Sequence, residues 1–203
     1  MNLQIRLAKS EDIEKIIELQ SSSIRLMSLD YNPRQIESLV RSQASARLMP
    51  DEIVFLACYE NEIVGLACLI VDYSLLSGLY VHPNFIRQGI GTQLLDILEK
   101  TAIEKECKAI YIISSLTAAN FYQAKGYQVI RQSGFFSEPN TWIPCINLEK
   151  RLLSVTEIQG LKQQINYFHY WIKPFFGFIR LITLCLIGLL LPLIISLLVS
   201  LFL

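Results

Sequence analysis

Histidine is scarce in this chain, with His82 and His169 the two present in 203 residues. The five cysteines (Cys58, Cys68, Cys107, Cys145 and Cys185) are scattered, form no CxxC pair and have no histidine at metal-ligand spacing. No metal site is therefore expected, and reduced, mostly buried thiols are. A basic patch is missing as well. Residues 1–150 hold 14 Lys/Arg against 17 Asp/Glu, so nucleic acid is not an expected partner. Charge cancels over the whole chain but not along it, because residues 151–203 hold four Lys/Arg and Glu157 as their one acid. No secretory signal is expected at the start, since charged residues punctuate Met1 to Asp30. The expected setting of the first 150 residues is a reducing, cytoplasmic compartment.

Charge disappears altogether from Leu181 to Leu203, 23 positions made mostly of Leu and Ile. At ~1.5 Å rise per residue such a helix is about 34 Å long, enough to cross a hydrocarbon core of ~30 Å. Gly188 and Pro192 are tolerable bends in a membrane helix. Ahead of the run, Tyr167, His169, Tyr170 and Trp171 mix with Lys173 and Arg180. Aromatic and basic residues together mark a membrane–water boundary, the basic ones on the cytoplasmic side. The expectation is a domain over 1–150, a connector and interface segment over 151–180, and a single-pass anchor in the lipid bilayer over 181–203.

What the first 150 residues do have is alternation of short apolar runs with amphipathic stretches. Leu3 to Leu7 reads as a strand, and Ser10 before Glu11-Asp12 as the N-cap of a helix running to about Ser28. Pro33 suits the first turn of a second helix. The runs Ile53–Tyr59 and Ile63–Val71 flank the polar turn Glu60-Asn61-Glu62, which is a hairpin pattern. Leu75–Val81, Lys108–Ser114, Tyr127–Gln132 and Trp142–Leu148 read as further strands, with helices from the Gly91 region to about Glu106 and over Ala118–Ala124. One strand–helix–strand crossover within hairpins makes an α+β class with a mixed, mostly antiparallel sheet flanked by helices.

One stretch stands out, LYVHPNFIRQGIGTQLL from Leu79 to Leu95. A strand there delivers a loop with Gly89 and Gly91 onto a helix start. The first-turn N–H groups of a helix lack internal partners and sit at the positive end of its dipole. Glycine lets an anion approach that backbone.

This stretch, with Ala118-Ala119-Asn120-Phe121-Tyr122 through Gly126-Tyr127 following about one crossover later, resembles the GNAT superfamily of N-acetyltransferases. The likeness covers residues 3–148. It is closest to bacterial small-molecule members, through Ser23-Ile24-Arg25 and the element Tyr31-Asn32-Pro33-Arg34-Gln35-Ile36. The resemblance implies a GNAT-like fold and acetyl-CoA as co-substrate. It implies that backbone groups of Leu79 and Val81 pair with the pantetheine arm, and that the N–H groups of Arg87, Gln88, Gly89, Ile90, Gly91 and Thr92 hold the pyrophosphate. Ile86 stands where the family has Gln or Arg, and Ser115 and Thr117 stand near where it often has Asn. Tyr122 falls at the position of the acid that protonates the departing CoA thiolate.

The general base has no such match, because Leu75, Leu76, Ser77 and Gly78 offer no carboxylate. Asp72 and Tyr73 could act through water, or be solvated loop residues. His82 reads as structural. The expected activity is acetyl transfer to a primary amine at the cytoplasmic face of a membrane. The acceptor is a small molecule or a protein, its pocket shaped by the second helix and a loop over 134–141. A non-catalytic, membrane-tethered acyl-CoA-binding or scaffold domain is the alternative.

Overall fold

The computed structural model describes residues 3–26, 30–43, 51–137 and 140–153, with 156, 157, 159, 160 and 163 beyond them. The elements in order are β1 (Gln4–Leu7), α1 (Ile13–Arg25), α2 (Pro33–Gln43), β2 (Glu52–Tyr59), β3 (Glu62–Ile70), β4 (Leu75–Val81), α3 (Ile90–Glu104), β5 (Ala109–Ser114), α4 (Ala119–Ala124), β6 (Gln128–Ser137) and β7 (Thr141–Arg151). They belong to the unit Met1–Ser154, and Val155–Leu203 is a second unit. The expected spanning segment 181–203 and the aromatic approach before it lie outside the described residues. Among those described, no helix is long and apolar enough to cross a membrane.

The strands make one sheet in the order β1-β2-β3-β4-β5-β7-β6. Every neighbouring pair is antiparallel except β4 and β5. The unbroken apolar runs of β2 and β3 are explained by cover on both faces. Val54, Leu56, Leu66 and Cys68 point to Ile16 and Leu19 of α1. Phe55, Ala57, Ala67 and Leu69 point the other way, to Ile90, Leu94, Leu95 and Leu98 of α3. A third cluster joins Ile24, Tyr31, Ile36 and Leu39 to Ile143 of β7. The turn between β2 and β3 is tighter than its sequence suggests. Glu60 and Asn61 both take positive φ, at 49° and 68°, as a two-residue hairpin turn of matching twist requires.

Three expectations need correction. Ser10 does not cap α1; residues Ser10–Asp12 form a single 3-10 turn, and Asp12 Oδ2 accepts the Lys9 N–H at 2.8 Å. Asp12 is engaged because Arg6 grips both its oxygens, at 2.7 and 2.8 Å. The first helix ends at Arg25 with Leu26 as its C-cap, short of the expected Ser28, which lies outside the described residues. Residues 134–137 are strand, not loop: they continue β6 and pair with 141–144 of β7. Their glycine and exposed phenylalanines hid this, because β6 is the edge of the sheet and its outer half shows no buried alternation.

Candidate active site

The site begins where β4 leaves β5. The two strands pair in parallel at Leu75–Tyr111 and Leu76–Ile112, and there the pairing ends. On the other side of β4, Leu76 lies opposite Leu69 and Gly78 opposite Cys68, so Ser77 is one residue too many. Such a bulge bends its own strand. Between the diverging strands is a cavity of about 500 Å³ with mostly apolar walls.

The backbone of β4 supplies the polar part of that wedge. His82 N–H donates to Val64 O at 2.8 Å, so the peptide groups of His82 and Tyr80 face β3. Strand alternation then turns those of Leu79 and Val81 to the wedge. One of them is already engaged: Ser23 Oγ, from α1, donates to Val81 O at 2.9 Å.

The glycine loop lies at the open end of β4. His82 Nδ1 accepts the Asn84 N–H at 3.2 Å and its ring meets Phe85 edge-on, which fixes the turn Pro83–Phe85. Gln88 turns its side chain back to Asn84 O at 3.3 Å. Arg87 and Gly89 take positive φ, 62° and 83°, and Gly89 is the N-cap of α3. The first helical bond is Gln93 N–H to Gly89 O, at 3.1 Å. The amides of Gly89, Ile90, Gly91 and Thr92 come before it, and none donates to an acceptor among the described residues. Ile90 buries its side chain in the core and offers only its N–H. A Cβ on Gly89 would meet nothing within 4 Å, so the mouth is open. A Cβ on Gly91 would sit 3.6 Å from Leu79 and 3.7 Å from Val81 and Phe121, which sets the mouth against β4 and α4. The result is a patch of positive potential beyond the end of β4, next to Leu79 and Val81, which line the wedge; residues 87–92 themselves do not line it.

Ser115, Thr117 and Tyr122 line the same cavity as Leu79 and Val81, so five of the expected site residues converge there. Ser115 Oγ accepts the Ala118 N–H at 3.2 Å and starts α4. Thr117 Oγ1 donates to Asp30 Oδ2. Tyr122 is buried, edge-on to Phe121 and Tyr127 at 5.2 and 5.7 Å. Burial pushes its phenol well above the ordinary tyrosine range, and the neighbouring Tyr80 phenol adds to this. Asp72 and Tyr73 do not reach the cavity: they sit in the turn before Leu75, at the closed end of the wedge. Ile86 does line it.

Sequence reasoning missed the bulge at Ser77 and the parts played by Tyr31 and Ser23. The Tyr31–Ile36 element is a joint. Asn32 and Gln35 cap α2 reciprocally, each accepting the other's N–H at 3.0 Å. The Tyr31 hydroxyl accepts from Leu116 N–H at 3.0 Å, between Ser115 and Thr117.

The same architecture occurs in solved structures. A GCN5-related N-acetyltransferase from Rhodopseudomonas palustris superposes with a TM-score of 0.69 at 25% identity, over 75% of this chain and 97% of that one. The PaiA N-acetyltransferase of Thermoplasma acidophilum, solved in complex with coenzyme A, gives 0.62 at 22% identity, over 75% and 100%. The ribosomal-protein-S18-alanine N-acetyltransferase of Escherichia coli gives 0.55 at 13% identity, over 73% and 93%. None of the curated proteins matches the chain. The sequence family described as the acetyltransferase (GNAT) domain matches residues 27–152, more than half of the protein, and the chain belongs to that family.

Proposed function

We propose that this protein moves an acetyl group from acetyl-CoA to a primary amine, and that residues 181–203 anchor it to a membrane with the domain on the cytoplasmic side. The observation that carries the reading is the divergence of β4 from β5 beside an open row of amides. An extended thioester with a diphosphate at one end needs both features in that order. The amides from Arg87 to Thr92 hold the diphosphate, and Leu79 and Val81 pair with the arm as an added strand would. The coenzyme A seen in the Thermoplasma enzyme supports this cofactor for the shared fold.

Attack by the amine nitrogen on the thioester carbon forms the new C–N bond, and the C–S bond then breaks. Tyr122 donates its proton to the departing sulfur. A phenol is protonated at neutral pH, and the burial that lifts this one also makes a thiolate more basic. Water takes the amine's proton. Positioning of amine and thioester supplies much of the rate, so a protein base is not essential. Leu39 of α2 and Phe135 of β6 line the cavity and shape the acceptor side.

The alternative of acyl-CoA binding without turnover is favoured by one observation: among the described residues lining the cavity there is no carboxylate. Full-length protein in detergent decides between them. Acetyl-CoA plus an amine panel releases free thiol if the reading is right; tight coenzyme A binding with no thiol release from any amine overturns it. Recovery of the chain in the soluble fraction of lysed cells overturns the anchor.

A further inference from the structure

Three serines in succession on α1 behave differently. Ser21 and Ser22 donate to the carbonyls four residues back, Ile17 O at 2.8 Å and Glu18 O at 2.9 Å. That is the default for a helical serine. Ser23 instead reaches across 58 residues of sequence to Val81 O. It also lines the cavity between β4 and β5.

The polarity of this arrangement matters. A hydroxyl has one hydrogen and two lone pairs. The hydrogen of Ser23 is committed to Val81, so the oxygen can only accept from anything entering the wedge. It therefore repeats the sign of the carbonyl it covers and moves that sign outward, toward the α1 wall. A strand-like ligand lying along β4 meets the peptide groups of Leu79, then the N–H of Val81, and at the next acceptor position it meets Ser23 Oγ instead of a main-chain oxygen. We infer that Ser23 is a cofactor-binding residue whose Oγ accepts a pantetheine amide N–H in place of the Val81 carbonyl. This rests on the acetyl-CoA reading above.

The test separates the arm from the nucleotide. Full-length wild type, Ser23→Ala and Ser23→Thr are titrated calorimetrically with coenzyme A and with adenosine 3′,5′-bisphosphate, which lacks the arm. Loss of one neutral hydrogen bond weakens coenzyme A binding by Ser23→Ala about fivefold. Adenosine 3′,5′-bisphosphate binding stays unchanged, and Ser23→Thr, which keeps the hydroxyl, stays within about twofold of wild type for both ligands. Equal weakening of both ligands by Ser23→Ala overturns the inference, as does unchanged coenzyme A binding. Failure of both ligands to bind wild type overturns the acetyl-CoA reading itself, and the role of Ser23 with it.

Discussion

The hydroxyl of Tyr31 donates to the carbonyl of Pro144 at 2.8 Å, joining residues 113 positions apart. The same oxygen accepts from Leu116 N–H, so one buried phenol ties the start of α2 to β7 and to the loop that carries Ser115 and Thr117. Tyr31→Phe keeps the ring and removes both bonds, leaving a part-buried N–H and a carbonyl without this partner. Urea denaturation is expected to show a loss of about 1–3 kcal/mol. A loss below a few tenths of a kcal/mol would mean that solvent replaces both bonds.

Tyr122→Phe is the direct test of the acid. Removing a general acid costs about 10²–10⁴ in rate. Turnover is expected to fall by about 100-fold while the affinity for coenzyme A holds. The pH profile carries a second signature. The phenol's pKa lies above its ordinary value, so the acid form persists as pH rises from 7 to 10. Wild-type activity should show no falling limb in that interval from loss of this proton.

Gly89 holds φ at 83° in open space. Alanine there costs about 1 kcal/mol in backbone strain without a clash. Relief of that strain by a change of φ would also turn the N–H groups at the α3 mouth away from a bound phosphate. Gly89→Ala is expected to weaken adenosine 3′,5′-bisphosphate about tenfold (~1.4 kcal/mol) by calorimetry, a larger effect than its loss of stability explains.

At Gly134 the constraint is space. A Cβ would run into the Trp142 ring and lie 2.8 Å from Ile143 O. Overpacking of this kind costs about 1–3 kcal/mol. Gly134→Ala should lower the melting temperature, and the additional change Trp142→Ala should return part of the loss. The remaining part belongs to the backbone oxygen, which cannot move as far.

Asp12 is held down to about 2, mainly by hydrogen bonds from Arg6, against an ordinary value of 3.8. A depressed carboxylate stabilises the fold above its unfolded pKa and loses that contribution as pH falls toward its folded one. Wild type should therefore lose stability between about pH 4 and pH 2 more steeply than Asp12→Asn. At pH 7 the substitution costs on the order of 1 kcal/mol, moderated by the solvent exposure of Arg6.

The helices and strands were legible wherever the pattern is local. Gly89 could be read as a helix opening because the loop and the apolar period of α3 meet within a few residues. Pro33 could be placed in a first turn for the same reason. The outer half of β6 could not be read, because an edge strand exposes both faces and its residues look like loop. The capping role assigned to Ser10 failed because Arg6, on a different element, holds Asp12 in a geometry that makes Asp12 the acceptor.

Local sequence set the two periodicities, the turn at Glu60-Asn61, the glycine at a positive-φ position and the family to which the chain belongs. Those depend on side-chain spacing and φ preference, which act over a handful of residues. Long-range packing set that β4 parts from β5 after two paired residues, that Tyr31 clamps the Ser115–Thr117 loop, and that Ser23 reaches β4 while Ser21 and Ser22 do not. Three adjacent serines have the same chemistry and the same helix around them. What separates them is which one faces a carbonyl brought up from 58 residues away, and that depends on how the helix packs on the sheet.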